Sequence, residues 1–219
     1  MRFRHLEFTV PLLIIPIVML SCSSTRHKAD TEPRHVIASW YGYEFHGKAT
    51  ASGERFNMFA FTCAHRDLPF GTILQVMNPA NGRSVKCVVN DRGPFVGGRD
   101  IDLSYATARE IGLENTGNVM LEYLGRDTRY MREVQYITAG GPFTVQIGSF
   151  RDPENARRLK AGLDLNYTDV YIHERVINDG TYYRVRIGRF SDRRKAFGLA
   201  KKLAEEGYSP VIMQFDQQA

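Results

Sequence analysis

Short apolar and alternating segments recur along residues 36–125, and turn signals rich in glycine, proline and asparagine separate them. Alternation with a period of two is typical of β-strands that bury one face. Many short strands at this spacing predict a small β-barrel. The predicted strands are residues 36–43, 55–62, 72–77, 84–90 and 118–124. One short helix, residues 104–111, interrupts them, with Asp102 or Ser104 as its cap.

A different pattern, an internal repeat, follows a predicted linker at residues 126–141. Residues 143–152 match residues 183–192, and in each copy an alternating strand leads through a glycine turn to an aspartate that caps a helix. Two further strands are predicted at residues 169–176 and 209–214. The element order is therefore βαββαβ, which predicts a ferredoxin-like α+β domain over residues 142–216.

The same alternation predicts the two faces of this second sheet. One face is apolar and would be covered by the two helices; it carries Phe143, Val145 and Ile147. The other face is predicted to be open, and it carries Gln146, Tyr182 and Arg184. A phenol ring, an amide and a guanidinium suit a polysaccharide, through stacking and hydrogen bonds to hydroxyls. A solvated face that reflects only β-propensity is the alternative, and spacing does not decide between them.

The N-terminus predicts export. Arg2 and Arg4 precede an apolar run at residues 10–20, which is too short to span a bilayer, and Ser21 is a small residue before Cys22. The ending Met-Leu-Ser-Cys resembles the lipobox of bacterial lipoproteins, which implies cleavage after residue 21 and a diacylglycerol on Cys22. An ordinary secretory peptide with a chance cysteine is the alternative. Residues 22–35 are polar and predict a flexible tether that reaches roughly 40 Å at most.

The charge pattern limits the expected classes of partner, and the cysteine content raises the question of a disulfide. The formal net charge is +5, but the basic residues lie in helical stretches among acidic ones, which is typical of a solvated helix face. We therefore expect no nucleic acid partner, and expect the membrane or wall polymers as any anionic partner. Cys63 and Cys87 would lie in a compartment that permits disulfides; they either pair or remain two buried thiols.

The first predicted domain contains the residues that could carry chemistry. Cleavage of a glycosidic bond needs a carboxylic acid to protonate the departing oxygen and a second group on the other side. The carboxylates available are Glu54, Asp91 and Asp102, and His65 could relay a proton. Each also has a structural interpretation: an exposed carboxylate, a turn former, a helix cap, a core histidine. Trp40 could likewise belong to the barrel core. Spacing permits convergence of these residues without showing it.

The motifs of this domain closely resemble those of the rare lipoprotein A family: Ala38-Ser-Trp40-Tyr-Gly42, Phe45-His-Gly47, Thr50-Ala-Ser-Gly-Glu54, Leu68-Pro-Phe-Gly-Thr72, Asn81-Gly-Arg83, Asn90-Asp-Arg-Gly-Pro-Phe95 and Ile101-Asp-Leu-Ser104. The resemblance covers residues 36–125 and implies a double-psi β-barrel, shared with expansins and with some lytic transglycosylases. It implies cleavage of peptidoglycan between N-acetylmuramic acid and N-acetylglucosamine, without water, to give a 1,6-anhydro end.

This resemblance also implies residue roles. Asp91 is expected to act as general acid and then base, Glu54 as the partner carboxylate and His65 as a proton or hydrogen-bond partner. By analogy with expansins, Asp102 is a further candidate. Cys63 stands where the family usually has a small residue. Trp40 is a candidate glycan-binding residue.

Residues 142–216 resemble a SPOR domain, a module that binds glycan strands stripped of stem peptides, which accumulate at the division septum. Its binding positions fall on Gln146, Ser149, Tyr182 and Arg184, and tyrosine stands at position 182 where some members have tryptophan. The expected partners are therefore peptidoglycan strands, the membrane through a lipid on Cys22, and division-site proteins. If the sorting rule of enteric bacteria applies, Ser23 favours the outer membrane, facing the periplasm.

Two other functions compete with this interpretation. A non-catalytic envelope lipoprotein could use both domains to bind peptidoglycan at the division site. A cysteine amidase or peptidase could pair Cys63 with His65, since residues two apart on a strand share a face. The histidines show no metal-binding spacing, so we expect neither a metal nor a cofactor.

Overall fold

The computed structural model describes residues 32–137, 140–177 and 180–216. The predicted signal peptide, the lipidation site Cys22 and most of the predicted tether lie outside the described residues. Within the described ranges, no helix is long and apolar enough to cross a membrane.

Six strands close into the predicted barrel, in the order β1-β5-β2-β4-β3-β6. They are β1 (Arg34–Tyr41), β2 (Thr62–His65), β3 (Thr72–Met77), β4 (Ser84–Asp91), β5 (Ile101–Ser104) and β6 (Gly117–Arg126). β1 pairs in parallel with β5 and β2 with β4, and the other pairs are antiparallel. Alternate residues of these strands fill the interior, including the fully buried Val76, Val89, Leu103 and Val119.

Two local predictions in the barrel are wrong. Residues 55–61 form turns and loops, and the strand predicted there begins only at Thr62. Asp102 does not cap the helix, because it lies within β5. The helix α1 (Tyr105–Glu110) is capped by Ser104, whose hydroxyl accepts a hydrogen bond from the Thr107 backbone N–H. Ile101 and Leu103 flank Asp102 and are fully buried, so burial of these two side chains extends the chain there as a strand.

The C-terminal part has the predicted βαββαβ order. Its elements are β8 (Phe143–Phe150), α2 (Pro153–Asp164), β9 (Val170–Ile177), β10 (Gly180–Phe190), α3 (Arg193–Glu205) and β11 (Val211–Gln214). Asp152 and Asp192 cap the two helices at equivalent positions of the repeat. A two-residue strand from the predicted linker, β7 (Gln135–Tyr136), extends the sheet, whose order is β7-β11-β8-β10-β9.

The helices cover one face of this sheet, as predicted, but the other face is only partly open. Leu159 and Leu163 of α2 are fully buried, as is Leu203 of α3. On the opposite face, Arg186 is also buried, because its guanidinium contacts Asp216 and Gln146. The prediction of an open face is therefore wrong at Arg186.

The two domains pack directly against each other. The Phe70 N–H of the barrel donates to the Glu206 carbonyl beyond α3, at 3.0 Å. Gly207 follows with a positive φ of 92°, and a side chain at this position would meet Phe70 within 3.1 Å. The Tyr208 ring contacts the Phe70 ring edge-on, with centroids 4.9 Å apart. The segment after α3 is thus fitted to the barrel surface.

Candidate active site

A β-bulge at the end of β4 places Asp91. On the neighbouring strand β2, Cys63 pairs with Val89 but Ala64 pairs with Asp91, so Asn90 is an extra residue. In a regular strand, Val89 and Asp91 would share a face, and Val89 points into the barrel core. The bulge moves Asp91 onto the opposite face, where bulges commonly re-aim functional side chains.

The Asp91 carboxyl group is buried and partly satisfied by backbone. Its Oδ1 accepts hydrogen bonds from the N–H groups of Ala51 and Arg92, both at 2.8 Å. Its Oδ2 lies 3.5 Å from the guanidinium of Arg158. Burial raises the pKa of Asp91 above its ordinary value, although Arg158 and the two N–H groups oppose this shift. Asp91 therefore holds a proton at higher pH than an exposed aspartate does.

Asp91 and Asp102 line the same cleft. Ala64 pairs with Asp91 on one side and with Asp102 on the other, so the two carboxylates lie on one face, two strands apart. Two strand spacings correspond to roughly 10 Å between their backbones. The cleft has a volume of about 230 Å³ and is lined by Tyr41, Phe45, Ala64, Asp91, Arg92, Gly93, Pro94, Phe95, Val96, Arg99, Asp102 and Arg158.

Polar groups at this cleft are unevenly satisfied. Asp102 accepts a hydrogen bond from the Ser39 hydroxyl and lies 3.8 Å from the Arg99 guanidinium. The Tyr41 hydroxyl and the Arg99 Nε are buried, and within the described residues neither has a hydrogen-bond partner. Two unpaired donors in the wall of a cleft are suited to a ligand rich in oxygen atoms.

Glu54 lies beside this cleft, behind the bulge. Its Oε2 accepts a hydrogen bond from the Asn90 side-chain amide at 2.8 Å, and it also interacts with the Tyr130 phenol. The turn that carries Glu54 donates the Ala51 N–H to Asp91. Glu54 is thus linked to Asp91 indirectly, through Asn90 and through the turn that contains Ala51. It is not among the residues that line the cleft.

His65, the last residue of β2, also lies outside the cleft lining. Its Nδ1 lies 3.0 Å from an Asp67 carboxylate oxygen and 3.2 Å from the Leu68 N–H. Hydrogen bonding to His65 lowers the pKa of the Asp67 carboxyl group. The His65 ring is directed to its own turn, and its backbone carbonyl faces Arg92.

A cysteine nucleophile has no support in this geometry. Cys63 is fully buried, and its sulfur lies 2.8 Å from the sulfur of the equally buried Cys87. Burial and the contact with Cys87 raise the pKa of the Cys63 thiol well above its ordinary value. A thiol that keeps its proton and is sealed from solvent is a poor nucleophile.

Trp40 is exposed and does not belong to the barrel core. It neighbours Tyr41 on β1 and therefore faces away from the Asp91 cleft. Its indole N–H donates to the Glu114 carbonyl at 2.9 Å, and its ring contacts Tyr105 edge-on. An exposed ring held in this way is available for stacking, on a surface separate from the cleft.

The four positions predicted on the second sheet share one face. Arg184 pairs with Ser149 and Arg186 with Gln146, so a bulge in β8 brings Gln146 and Ser149 onto the same side. Tyr182 and Arg184 are two residues apart on β10, and both are half-buried. The Tyr182 hydroxyl accepts a hydrogen bond from Arg151 at 2.9 Å, which helps to orient the ring.

Arg158 is a site residue that the sequence pattern does not indicate. The prediction of a solvated helix face for the basic residues includes Arg157, Arg158 and Lys160 alike. Arg157 is indeed 62% exposed, whereas the Arg158 side chain is only 23% exposed and faces the barrel. The signal available in the sequence was Gly162, one turn later, since a glycine inside a helix often marks a close approach.

Two family models cover the chain and define its class. Residues 34–123 match a family described as "Lytic transglycolase", and residues 139–214 match the family described as "SPOR domain". The class is therefore that of a double-psi β-barrel of the lytic transglycosylase type followed by a SPOR domain.

Relatives identify the family within this class. The "Endolytic peptidoglycan transglycosylase RlpA" of Vibrio cholerae is 34% identical over 179 residues, which are 81% of this chain and 67% of the relative. The protein of the same name from Campylobacter jejuni is 43% identical over 144 residues, which are 57% of this chain and 52% of the relative. The chain belongs to the RlpA family.

The chain spans about half to two thirds of the length of these two relatives. Among solved structures, the SPOR domain of RlpA from Pseudomonas aeruginosa matches 32% of this chain and 96% of its own, with 26% identity and a TM-score of 0.29.

Proposed function

We propose that this protein is an endolytic lytic transglycosylase that cleaves peptidoglycan strands between N-acetylmuramic acid and N-acetylglucosamine. The observation that carries the proposal is the position of Asp91: a buried carboxyl group with a raised pKa, aimed by a bulge into a cleft. A general acid works best when its pKa lies near the working pH, and burial moves an aspartate in that direction. The names of the relatives support the choice of substrate.

In the proposed reaction, Asp91 acts first as an acid and then as a base. Protonated Asp91 gives its proton to the glycosidic oxygen as the bond from that oxygen to C1 of the muramyl residue breaks. The C6 hydroxyl of the same residue attacks C1, and its proton passes to the Asp91 carboxylate. The glycan ends in a 1,6-anhydro ring, no water is consumed, and Asp91 regains its starting state.

The other predicted residues take different roles in this proposal. Asp102 shares the cleft and is the second carboxylate that can face positive charge developing at C1. Glu54 fixes Asn90 and the turn that hydrogen bonds to Asp91, and so acts on the acid from outside the cleft. His65 holds the turn after β2 through Asp67 and Leu68. The Tyr41 hydroxyl and the Arg99 Nε are available to hydrogen bond with sugar oxygens.

The same proposal assigns the protein a location in the cell envelope, from the predicted lipid anchor and from the glycan-binding face of the second domain. A lipid on Cys22 anchors the protein to the outer membrane, on the periplasmic side, and Trp40 offers a stacking surface on the barrel. The face formed by Gln146, Ser149, Tyr182 and Arg184 binds glycan strands stripped of stem peptides, which directs cleavage to the division septum and its proteins.

Product analysis tests the reaction. Purified peptidoglycan, intact or stripped of stem peptides by an amidase, is digested with the wild-type protein and with Asp91→Asn, Glu54→Gln and Asp102→Asn, and the products are identified by mass spectrometry. We expect 1,6-anhydro products from the stripped substrate, none with Asp91→Asn, and reduced amounts with the other two variants. Binding of both substrates by the wild type without any 1,6-anhydro product would show a non-catalytic binding protein instead.

A further inference from the structure

The second domain inserts a charged side chain into the cleft of the first. Arg158 lies on α2, and its Nη1 is 3.5 Å from Oδ2 of Asp91. The two backbone hydrogen bonds to Asp91 both involve Oδ1. Arg158 therefore faces the oxygen that is free to carry and transfer a proton.

Contacts on three sides hold the Arg158 side chain. Its Nη2 donates to the Asn155 side chain one turn earlier on α2, at 2.5 Å. Its guanidinium lies over the Phe45 ring of the barrel, 5.2 Å from the ring centroid. Asp91 lies on the third side. Such a placement differs from that of a surface arginine, which samples many rotamers in water.

A second buried face of α2 fixes this placement. Ala156, Leu159 and Leu163 pack on the domain's own sheet, whereas Asn155, Arg158 and Gly162 face the barrel. A side chain at Gly162 would meet the Arg92 side chain at 2.8 Å, so the helix approaches the barrel as closely as its backbone allows.

Arg92, the residue next to Asp91, is the centre of the domain contact. It is only 2% exposed, and its guanidinium stacks 3.8 Å from the Phe70 ring centroid. Its Nε donates to the Tyr208 hydroxyl at 2.9 Å, and its Nη1 donates to the Leu68 carbonyl at 3.0 Å. Because the chain passes directly from Asp91 into this contact, domain packing and the geometry of the carboxylate are linked.

We infer that Arg158 is a positioning residue of the cleft, supplied by the C-terminal domain, which couples the packing of the two domains to the protonation state of Asp91. The coupling itself is a property of the folded chain. Its consequence for catalysis rests on the function proposed above.

Several other charged or titratable groups face Asp91 and also influence its titration. Arg92 follows it in the chain, Tyr41 lies on β1, Asp102 lies on β5, Arg99 precedes β5, and Glu54 approaches through Asn90. All of these belong to the barrel. Among the charged groups of the described residues that face Asp91, only Arg158 comes from the second domain, so its charge is the one that domain separation removes.

The direction of the effect follows from electrostatics. A cation beside a carboxylate favours the charged form, so Arg158 lowers the affinity of Asp91 for its proton. With its burial unchanged, Asp91 lies nearer to the base form when Arg158 is beside it, and loss of this charge favours the acid form that begins the proposed reaction.

Titration of Asp91 by carboxyl-carbon nuclear magnetic resonance tests this inference without any substrate, with the signal assigned by comparison with Asp91→Asn. In the full chain, Arg158→Gln is expected to raise the titration midpoint of Asp91 by roughly one to three pH units. Arg158→Lys keeps the positive charge, so the Asp91 midpoint is expected to stay close to that of the wild type. The matched control is Arg157→Gln, which removes an equal charge from the exposed side of the same helix. Equal midpoints in Arg158→Gln and Arg157→Gln would overturn the inference.

A second variant moves the helix and leaves every charge in the chain. Gly162→Leu would wedge α2 away from Arg92, and Arg158→Gln added to this variant is expected to shift the Asp91 midpoint far less than it does in the wild type, because the guanidinium has already left the carboxylate. Gly198→Leu on α3 is the control, because a side chain at Gly198 meets open space. Circular dichroism checks that both fold. A full-sized shift from Arg158→Gln in folded Gly162→Leu would overturn the role of domain packing.

The pH profile of product formation then separates this inference from the proposed function. The limb of the profile that belongs to Asp91 is expected to move to higher pH in Arg158→Gln and to stay in place in Arg157→Gln. A merely structural role would lower the rate at every pH without moving the limb. A shifted titration in a protein that forms no 1,6-anhydro product would uphold the coupling and overturn the proposed function. An unshifted titration in an active protein would do the reverse.

Discussion

Asp91 in the barrel cleft and Asp216 at the edge of the second sheet both contact arginine, yet their pKa values move in opposite directions. Burial raises the pKa of Asp91, and a single arginine at 3.5 Å does not offset it. Burial also acts on Asp216, but contact with Arg186 and the nearby His173 outweigh it and lower its pKa. The Asp91 side chain is only 3% exposed and that of Asp216 is 36% exposed, so burial decides the sign at Asp91 and the close contact with Arg186 decides it at Asp216.

The opposite pKa shifts suit the two carboxylates to different roles. A carboxyl group that keeps its proton can donate it, so Asp91 fits acid chemistry, and its burial in charged form costs folding free energy. Asp216 keeps its negative charge to lower pH than an exposed aspartate does, and it joins Arg186, Arg175 and His173 on one sheet face. It orders the surroundings of the predicted glycan-binding positions.

The largest expected effect comes from removing the charge at Asp91. Asp91→Asn is expected to lower the rate of 1,6-anhydro product formation by roughly 10²–10⁴-fold, as for loss of a general acid. The same variant is expected to be more stable than the wild type at pH 7. The folded pKa of Asp91 lies above the unfolded one, so wild-type stability falls as pH rises from about 4 towards the folded value.

Urea unfolding between pH 3 and pH 8 measures this stability difference, which should vanish at the acidic end where both forms are uncharged. A variant that is less stable than the wild type at pH 7 would contradict the idea that Asp91 is held at a cost in folding free energy.

A smaller effect is expected at the sheet face. Tyr182→Ala should weaken binding to stripped glycan strands about tenfold, which corresponds to about 1.4 kcal/mol, through loss of ring stacking. Co-sedimentation with stripped peptidoglycan measures the affinity. Tyr43→Ala is the control, since Tyr43 is equally aromatic, 85% exposed and located on the barrel. Equal loss in both variants would place binding elsewhere.

The smallest effect is expected at Asp216. Its side chain is 36% exposed, so solvent screening limits its contribution to the free energy of unfolding to about 1 kcal/mol. Its folded pKa is lowered, so this stability is present above the unfolded pKa and is lost as pH falls through the folded value. Asp216→Asn should therefore be less stable than the wild type at pH 7 and equal to it at low pH.

Unfolding of Asp216→Asn across pH, beside Asp164→Asn on the solvent side of α2, checks this smaller effect. The pH trends of Asp91→Asn and Asp216→Asn should run in opposite directions. If the stability differences of both variants changed with pH in the same direction, the proposed contrast between the two carboxylates would be wrong.

Local patterns were sufficient to predict much of the fold. Alternation and turn residues predicted the barrel, and the repeat predicted the βαββαβ order. Strand β5 is not predicted because its alternation extends over only four residues, and its pairing partners lie far away in the chain. The resemblance and the carboxylate chemistry together singled out Asp91.

The rest of the site depended on long-range register. Asp102 shares the cleft with Asp91 only because both pair with Ala64, and no local spacing contains that information. Helical periodicity assigns Arg158 to a face of α2 without indicating that another domain covers it. His65 was predicted to take part in proton transfer, and its orientation towards Asp67 follows from a turn geometry that residue type alone does not specify.

The extra residue at Asn90 acts as a phase shift in the strand. Without this shift, Asp91 would lie two regular positions after Val89 and would point with it into the barrel. A barrel altered in this way could keep its core and its motif letters while losing the acid from its cleft. In this fold, the register of β4 against β2 therefore matters to the proposed chemistry as much as the identity of its residues.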